Sequence, residues 1–420
     1  MPDPVMLTAT AAARAINAGT LQPAELMEAC LDRIAARESV VQAMAYLDPT
    51  KARHAAPRPG PLHGLPIGIK DVFDTIDMPS EYNSPIWHGH RPQADAACVA
   101  WAKAAGAVVL GKTVTTEFAT RRPGPTTNPH DPARTPGGSS SGSAAGVAAG
   151  FFPLAFGSQT AGSVIRPAAF CGVVGYKPTF GLVNRMGMKL MSDSLDTVGV
   201  MARSVADCAL FVGAISGRDL GDPDSRSDAA PRIGLCRSPV WDRAGPETAE
   251  LFERVAMQLT HAGATLRDFE LPPEFDALEA AHAVLMNNES ARALGWEMNT
   301  ARDQISPALR ERLEWGLAQP EAAVVESQAL FRFLQSDFEV IMEDFDVLLT
   351  PSAVGEAPVG LAWTGDAGFN FIWTSLHVPC VTVPAGVGPN GMPLGVQIVA
   401  PRGRDRRALA WAAWVAAALA

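Results

Sequence analysis

Three stretches of this chain concentrate residues able to do nucleophilic or acid–base chemistry: Gly64-Leu-Pro-Ile-Gly-Ile-Lys70-Asp71, the Gly/Ser-rich run from Gly137 to Gly150 (GGSSSGSAAGVAAG), and Gly157-Ser-Gln-Thr-Ala-Gly-Ser163-Val-Ile-Arg166-Pro. A serine hydroxyl is a poor nucleophile until a neighbour takes its proton. Lys70 is a candidate for that neighbour. It ends an apolar, strand-like run, where desolvation disfavours the ammonium form and brings the amine into the range of a base near neutral pH. The structural alternative is a lysine held as an ion pair with Asp71 or another carboxylate. Two other patterns compete. Gly138-Ser139-Ser140-Ser141-Gly142 fits a GxSxG nucleophile elbow with Ser140 as nucleophile, but the segment before it, Asn128-Pro-His-Asp-Pro-Ala-Arg-Thr-Pro, is turn-rich and not a strand. Of the histidines that follow, His261, His282 and His377, none sits in a recognisable catalytic setting. Gly106-Ala-Val-Val-Leu-Gly-Lys112-Thr113 matches the P-loop pattern, yet its apolar, β-prone middle suits a strand whose amides are already paired, so Lys112 reads as structural.

The elements that must position these residues follow from periodicity. Leu26, Met27, Cys30, Leu31 and Ile34 recur at helical spacing behind Pro23. From Pro66 onward, short apolar runs (Pro66-Ile-Gly-Ile, Ala107-Val-Val-Leu-Gly) alternate with helical stretches such as 95–105, the signature of a sheet with helices on its faces. Residues 215–345 are more charged and read as helical, most clearly at 281–294 and 321–345. Val347-Leu-Leu-Thr, Val381-Thr-Val-Pro and Gly395-Val-Gln-Ile-Val then read as strands, and the Ala-rich tail 411–420 as a docked helix. The Gly/Ser-rich run has the composition of a linker. Its flanks look buried, however, and a glycine-rich turn entering a buried helix brings backbone N–H groups close to a ligand, which is the geometry of a site.

Taken together these stretches resemble the amidase signature family. The matching segments are 68–71, 137–150 and 161–167, continued by Cys171-Gly-Val-Val-Gly-Tyr-Lys-Pro-Thr-Phe-Gly-Leu-Val and Ser194-Leu-Asp-Thr-Val-Gly-Val-Met-Ala-Arg-Ser-Val-Ala-Asp, and more weakly by 369–384 and 393–397. The resemblance implies an α/β fold: one α/β/α domain over 1–420 with a large twisted mixed central sheet flanked by helices. Its parts would be N-terminal helices (1–60), a signature core (61–215), a variable helical region (216–345) and C-terminal strands with a helix (346–420). It implies a Ser-Ser-Lys triad of Ser163 as nucleophile, Ser139 as bridging serine and Lys70 as base, the serines 24 residues apart as in the family. It further implies an oxyanion hole from the backbone of Thr160, Ala161, Gly162 and Ser163; the Gly138-Ser139 peptide is cis in related proteins, but the sequence itself leaves its isomer open. Two departures from the common family pattern stand here. Gln159 replaces a frequent Asp, and Ala161 replaces a frequent Gly, which would be strained if that position required a positive φ.

Gln159 and the chain length point away from the family's amidotransferase branch and toward compact bacterial amidases typified by malonamidase. The expected reaction is hydrolysis of a small amide-type C–N bond through an acyl-serine, releasing ammonia or an amine. The alternatives are an aryl-amide or carbamate (urethane) hydrolase with esterase activity, a component of an amidotransferase, and a catalytically weak scaffold. Arg166 would either grip a substrate carboxylate or pair with an acid such as Asp196. Met186, Met188 and Met191, with Phe371 and Trp373, either line an adaptable apolar pocket or belong to the core, and Gly138 is a further pocket candidate. The resemblance implies no metal and no organic cofactor, and a homodimer.

Composition bounds the rest. The chain has 420 residues, 47% hydrophobic and 19% charged, with a formal charge of -10 and no basic cluster to track phosphates, so nucleic acid is excluded as an expected partner. Six cysteines without CxxC spacing argue for a reducing compartment, and with no leader-like start and no long apolar segment the expectation is a cytoplasmic protein away from membranes.

Overall fold

A computed structural model describes residues 3–120, 122–222 and 229–420. Its centre is one sheet of eleven strands: β1 (Met44–Leu47), β2 (Pro66–Lys70), β3 (Val108–Thr113), β4 (Leu154–Gln159), β5 (Val174–Lys177), β6 (Thr197–Ala202), β7 (Arg232–Cys236), β8 (Thr265–Phe269), β9 (Val347–Pro351), β10 (Cys380–Val387) and β11 (Pro393–Val399). They lie in the order β1-β3-β2-β4-β6-β5-β10-β11-β9-β7-β8. The pairs β2/β3, β2/β4, β7/β8 and β7/β9 are parallel and the others antiparallel, so the sheet is mixed as expected. β2, β3, β4, β6 and β11 are buried at every position, which explains their near-continuous apolar sequences.

The helices pack on the faces. Leu26, Met27, Cys30, Leu31 and Ile34 form the buried side of the Pro23–Val41 helix, and the Glu25 carboxylate accepts the Gln22 N–H at its start. The tail forms the Asp405–Leu419 helix. The region read as helical departs from expectation in one respect, since it contributes β7 and β8 to the sheet. β8 is an edge strand with most of its side chains exposed, so its sequence, Thr-Leu-Arg-Asp-Phe, carries no alternation to betray it.

The Gly/Ser run is not a linker. Ser141–Ala149 is a helix buried along nearly its whole length. Gly142 is where it crosses the chain most closely. A Cβ there would stand 2.1 Å from the Ala43 carbonyl oxygen, while the Gly142 N–H donates to Val114 O at 2.9 Å. Small residues let the helix lie directly on backbone, and that contact fixes the serines at its N-terminal end.

Candidate active site

Lys70 is the last residue of β2, and Ser158 and Gln159 end the neighbouring parallel strand β4. The site therefore sits beyond the carboxyl ends of two parallel strands, the usual ligand position of an open α/β sheet. Lys70 is fully buried. Its Nζ lies 2.7 Å from Ser139 Oγ, 2.8 Å from Ser158 Oγ and 3.2 Å from Ser158 O. As an ammonium it donates to these oxygens; as a neutral amine it can accept the Ser139 proton. Burial disfavours its charge and lowers its pKa to about 7, with Asp196 pulling the other way. The ion pair with Asp71 does not form. Asp71 instead meets Lys112 at 2.7 Å, and Lys112, buried on β3 and bonded also to Ser80 Oγ and Pro79 O, is the structural lysine.

Ser139 and Ser163 share the wall of one cavity of ≈ 450 Å³. The Gly138–Ser139 peptide is cis, and the Ser140 N–H donates to Ser163 O at 3.4 Å, tying the two serine segments together. Among the described residues no hydrogen bond joins the two side-chain hydroxyls. Ser140 does not line the cavity; its hydroxyl is taken up by the Ser158 backbone, which leaves the elbow reading without a nucleophile.

The 160–163 turn lines the same cavity through Thr160, Ala161 and Ser163. Ala161 has no positive φ, so alanine is unstrained there. Gln159 tethers the turn from below. Its Oε1 accepts the Val164 and Ile165 N–H groups at 2.9 and 3.0 Å, and its Nε2 donates to Thr374 Oγ1 at 3.0 Å, a donation that a carboxylate in this place lacks.

Of the pocket candidates, Arg166, Met191 and Phe371 line the cavity. Four do not. Met186 is 75% exposed, Met188 packs into the main core, and Trp373 is fully enclosed against Phe338. Gly138 lies behind the wall, its carbonyl accepting from Arg166 at 2.7 Å. Methionine spacing in a loop carries no periodicity, so nothing in the sequence separates the one that faces inward. Arg166 does not pair with Asp196, whose carboxylate instead accepts from Thr160 Oγ1 and from the Met191 and Ser192 N–H groups. Arg166 also reaches Thr364 Oγ1, and its Nε is buried with no partner among the described residues.

Sequence reasoning misses Ser158, Thr374 and His282. Ser158 sits beside the motif positions and carries no signal beyond being a serine. His282 belongs to a long helix, Leu278–Ala293, far from any motif. One face of that helix, with Glu279, His282, Met286 and Asn287 at helical spacing, forms a cavity wall.

The Amidase family model matches residues 25–409. A glutamyl-tRNA(Gln) amidotransferase subunit of Chloroflexus aurantiacus is 34% identical over an alignment of 451 positions, gaps included, covering 94% of this chain and 92% of its own. A solved amidase superposes with a TM-score of 0.89 at 30% identity over 99% of this chain and all of its own. A 6-aminohexanoate cyclic dimer hydrolase, solved with its substrate, superposes with a TM-score of 0.90 at 27% identity over 99% and 97% of the two chains. Among the described residues no helix is long and apolar enough to cross a membrane.

Proposed function

Because this chain belongs to the amidase family, we propose that it hydrolyses an amide-type C–N bond of a small molecule through an acyl-Ser163 intermediate. The observation that carries this reading is the 2.7 Å contact between Ser139 Oγ and a buried lysine whose base form is populated near neutral pH. Ser163 attacks the carbonyl carbon as its proton passes to Ser139, and Ser139 passes its own to neutral Lys70. The hydrogen bond from Ser163 to Ser139 forms when substrate fills the cavity. Collapse of the tetrahedral adduct sends the proton back to the leaving nitrogen, and water then cleaves the acyl-enzyme by the same relay. The free N–H groups of the 160–163 turn stabilise the oxyanion.

Arg166 favours a substrate that carries a carboxylate near the scissile bond. It is a buried cation with no carboxylate in contact among the described residues, and an incoming anion compensates that charge. A fluorophosphonate adduct mapped by peptide mass spectrometry should fall on Ser163 and vanish in Ser163→Ala; labelling elsewhere defeats the reading. Product release is then compared for malonamate, a neutral short amide, an anilide and an aryl carbamate, with Arg166→Gln alongside. Preference for malonamate that Arg166→Gln abolishes supports the anionic substrate, whereas preference for the anilide or carbamate assigns the cavity to aryl groups.

The amidotransferase subunits among the relatives favour a second reading, a component of an amidotransferase; on that reading we infer that an amide such as glutamine is the substrate and that its ammonia passes to a partner protein. Glutamine belongs in the same panel. Ammonia release from glutamine, above that from malonamate, favours this reading over free-standing hydrolysis.

A further inference from the structure

Between β4 and the Ile165–Phe170 helix, three consecutive peptide groups are held in the same way. Thr160 O accepts from His282 Nε2 at 2.9 Å, Ala161 O from Thr374 Oγ1 at 2.7 Å, and Gly162 O from the Arg166 N–H at 3.0 Å. The N–H groups that complete these peptides, those of Ala161, Gly162 and Ser163, donate to no acceptor among the described residues. A trans peptide is planar, with its C=O and N–H pointing in opposite directions, and none of these three bonds is cis. Tying each carbonyl therefore fixes the direction of the free N–H across the same bond. The third tie is ordinary helix backbone. The first two come from side chains 122 and 213 residues away in sequence.

We propose that His282 and Thr374 are positioning residues for the oxyanion-binding turn, holding the Ala161 and Gly162 N–H groups toward the charge that develops on the substrate carbonyl. This rests on the acyl-Ser163 reading above. The chemistry of each contact suits the task. A carbonyl can only accept, so the ring of His282 must carry its proton on Nε2; burial keeps the ring neutral, with a pKa lowered to about 4, and its other nitrogen unprotonated. The ring is braced from the side by Phe371, 5.7 Å away between centroids. Thr374 has one hydroxyl proton and two carbonyls in reach, Ala161 O at 2.7 Å and Asn370 O at 3.3 Å, and the shorter contact takes it. Gln159 Nε2 donates to the same hydroxyl oxygen, which leaves the proton free for Ala161. Gly162 completes the arrangement, since a Cβ there would stand 2.4 Å from Asn370 Oδ1 and push the turn off this bracket.

An oxyanion donor out of line costs rate and not ground-state affinity, because the charge it meets exists only in the transition state. The test is steady-state kinetics on Thr374→Val, which removes the hydroxyl at constant shape, and on His282→Leu, each beside a variant that keeps the donor, Thr374→Ser and His282→Gln. Thermal melting confirms that each is folded. Inhibition by phenylboronic acid, which adds to the nucleophile as a tetrahedral anion, is measured on the same set together with binding of the carboxylic acid product. Thr374→Val and His282→Leu are expected to lower kcat by about 10- to 100-fold with KM within about threefold. Boronic acid affinity should fall in proportion, product affinity should hold, and the donor-keeping variants should recover most of both losses. Wild-type kcat in folded Thr374→Val, a loss confined to KM, or a fall in kcat with unchanged boronic acid affinity overturns the proposal. Ser163→Ala separates this from the underlying reading: activity retained there defeats the acyl-Ser163 mechanism itself, whereas inactive Ser163→Ala beside wild-type-like positioning variants defeats only the present inference.

Discussion

Lys70 and Lys112 stand on neighbouring parallel strands one register step apart, Ile69 facing Lys112 and Lys70 facing Thr113, and neither is exposed to solvent. Burial presses both toward the neutral form. What separates them is the partner. Lys112 has the Asp71 carboxylate at 2.7 Å, and their attraction opposes the cost of burying each charge. Among the described residues Lys70 has only hydroxyls and a carbonyl within reach, none of which repays an ammonium as a carboxylate does. On the proposed mechanism, one strand pair thus holds a structural cation and a base. The aspartate next to Lys70 in the sequence serves the other lysine, because successive residues at a strand end point to opposite sides.

Removing the two amines should therefore produce opposite failures. Lys70→Ala is expected to lower kcat by about 10⁴-fold or more while the protein stays folded. Lys112→Met should leave kcat per folded molecule within a few-fold and instead destabilise the chain by about 3–5 kcal/mol, the cost of stranding Asp71 without its counter-charge. Activity assays paired with denaturant melts read both. Active Lys70→Ala, or a Lys112→Met that is stable and inactive, reverses the assignment.

The same contrast has a pH signature. The base must be neutral to accept a proton, and its pKa is lowered to about 7, so kcat/KM should rise with pH through about 7 and level off above it. Below that point the rate should fall about tenfold per pH unit. The sign follows from the relay: protonated Lys70 cannot take the Ser139 proton. A limb near the ordinary lysine value, or a flat profile down to about pH 5, removes Lys70 from the role.

The sequence carries the sheet and the serine–lysine constellation for a local reason. Buried parallel strands write themselves as apolar runs, and the Ser141–Ala149 helix must be built of small residues to lie on backbone at Gly142, so both leave marks over consecutive positions. What it does not carry comes from across the fold. His282 and Thr374 reach the 160–163 turn from distant helices, each by one donor atom, and neither residue type nor spacing distinguishes them from a core histidine or threonine. Edge strand β8 hides for a related reason: with little to bury, it has no pattern to show.

The methionines 186, 188 and 191 give the finest version of the contrast between a residue that serves the site and a near neighbour that does not. All three sit in one irregular stretch, and the structure sends them three ways: to solvent, to the main core and to the cavity. Met191 is placed by its own backbone, whose N–H donates to Asp196 at 2.6 Å, and Asp196 also accepts from Thr160 Oγ1, so the apolar wall and the 160–163 turn hang from one carboxylate. Trimming Met191 to alanine removes apolar contact from the cavity without touching a proton path. Its expected effect is a rise in KM of about three- to tenfold for substrates with bulky apolar groups, with kcat nearly unchanged. Met186→Ala removes a side chain that faces water and should stay within about twofold of wild type on every substrate. Equal effects from the two would mean that the cavity wall at Met191 does not touch substrate.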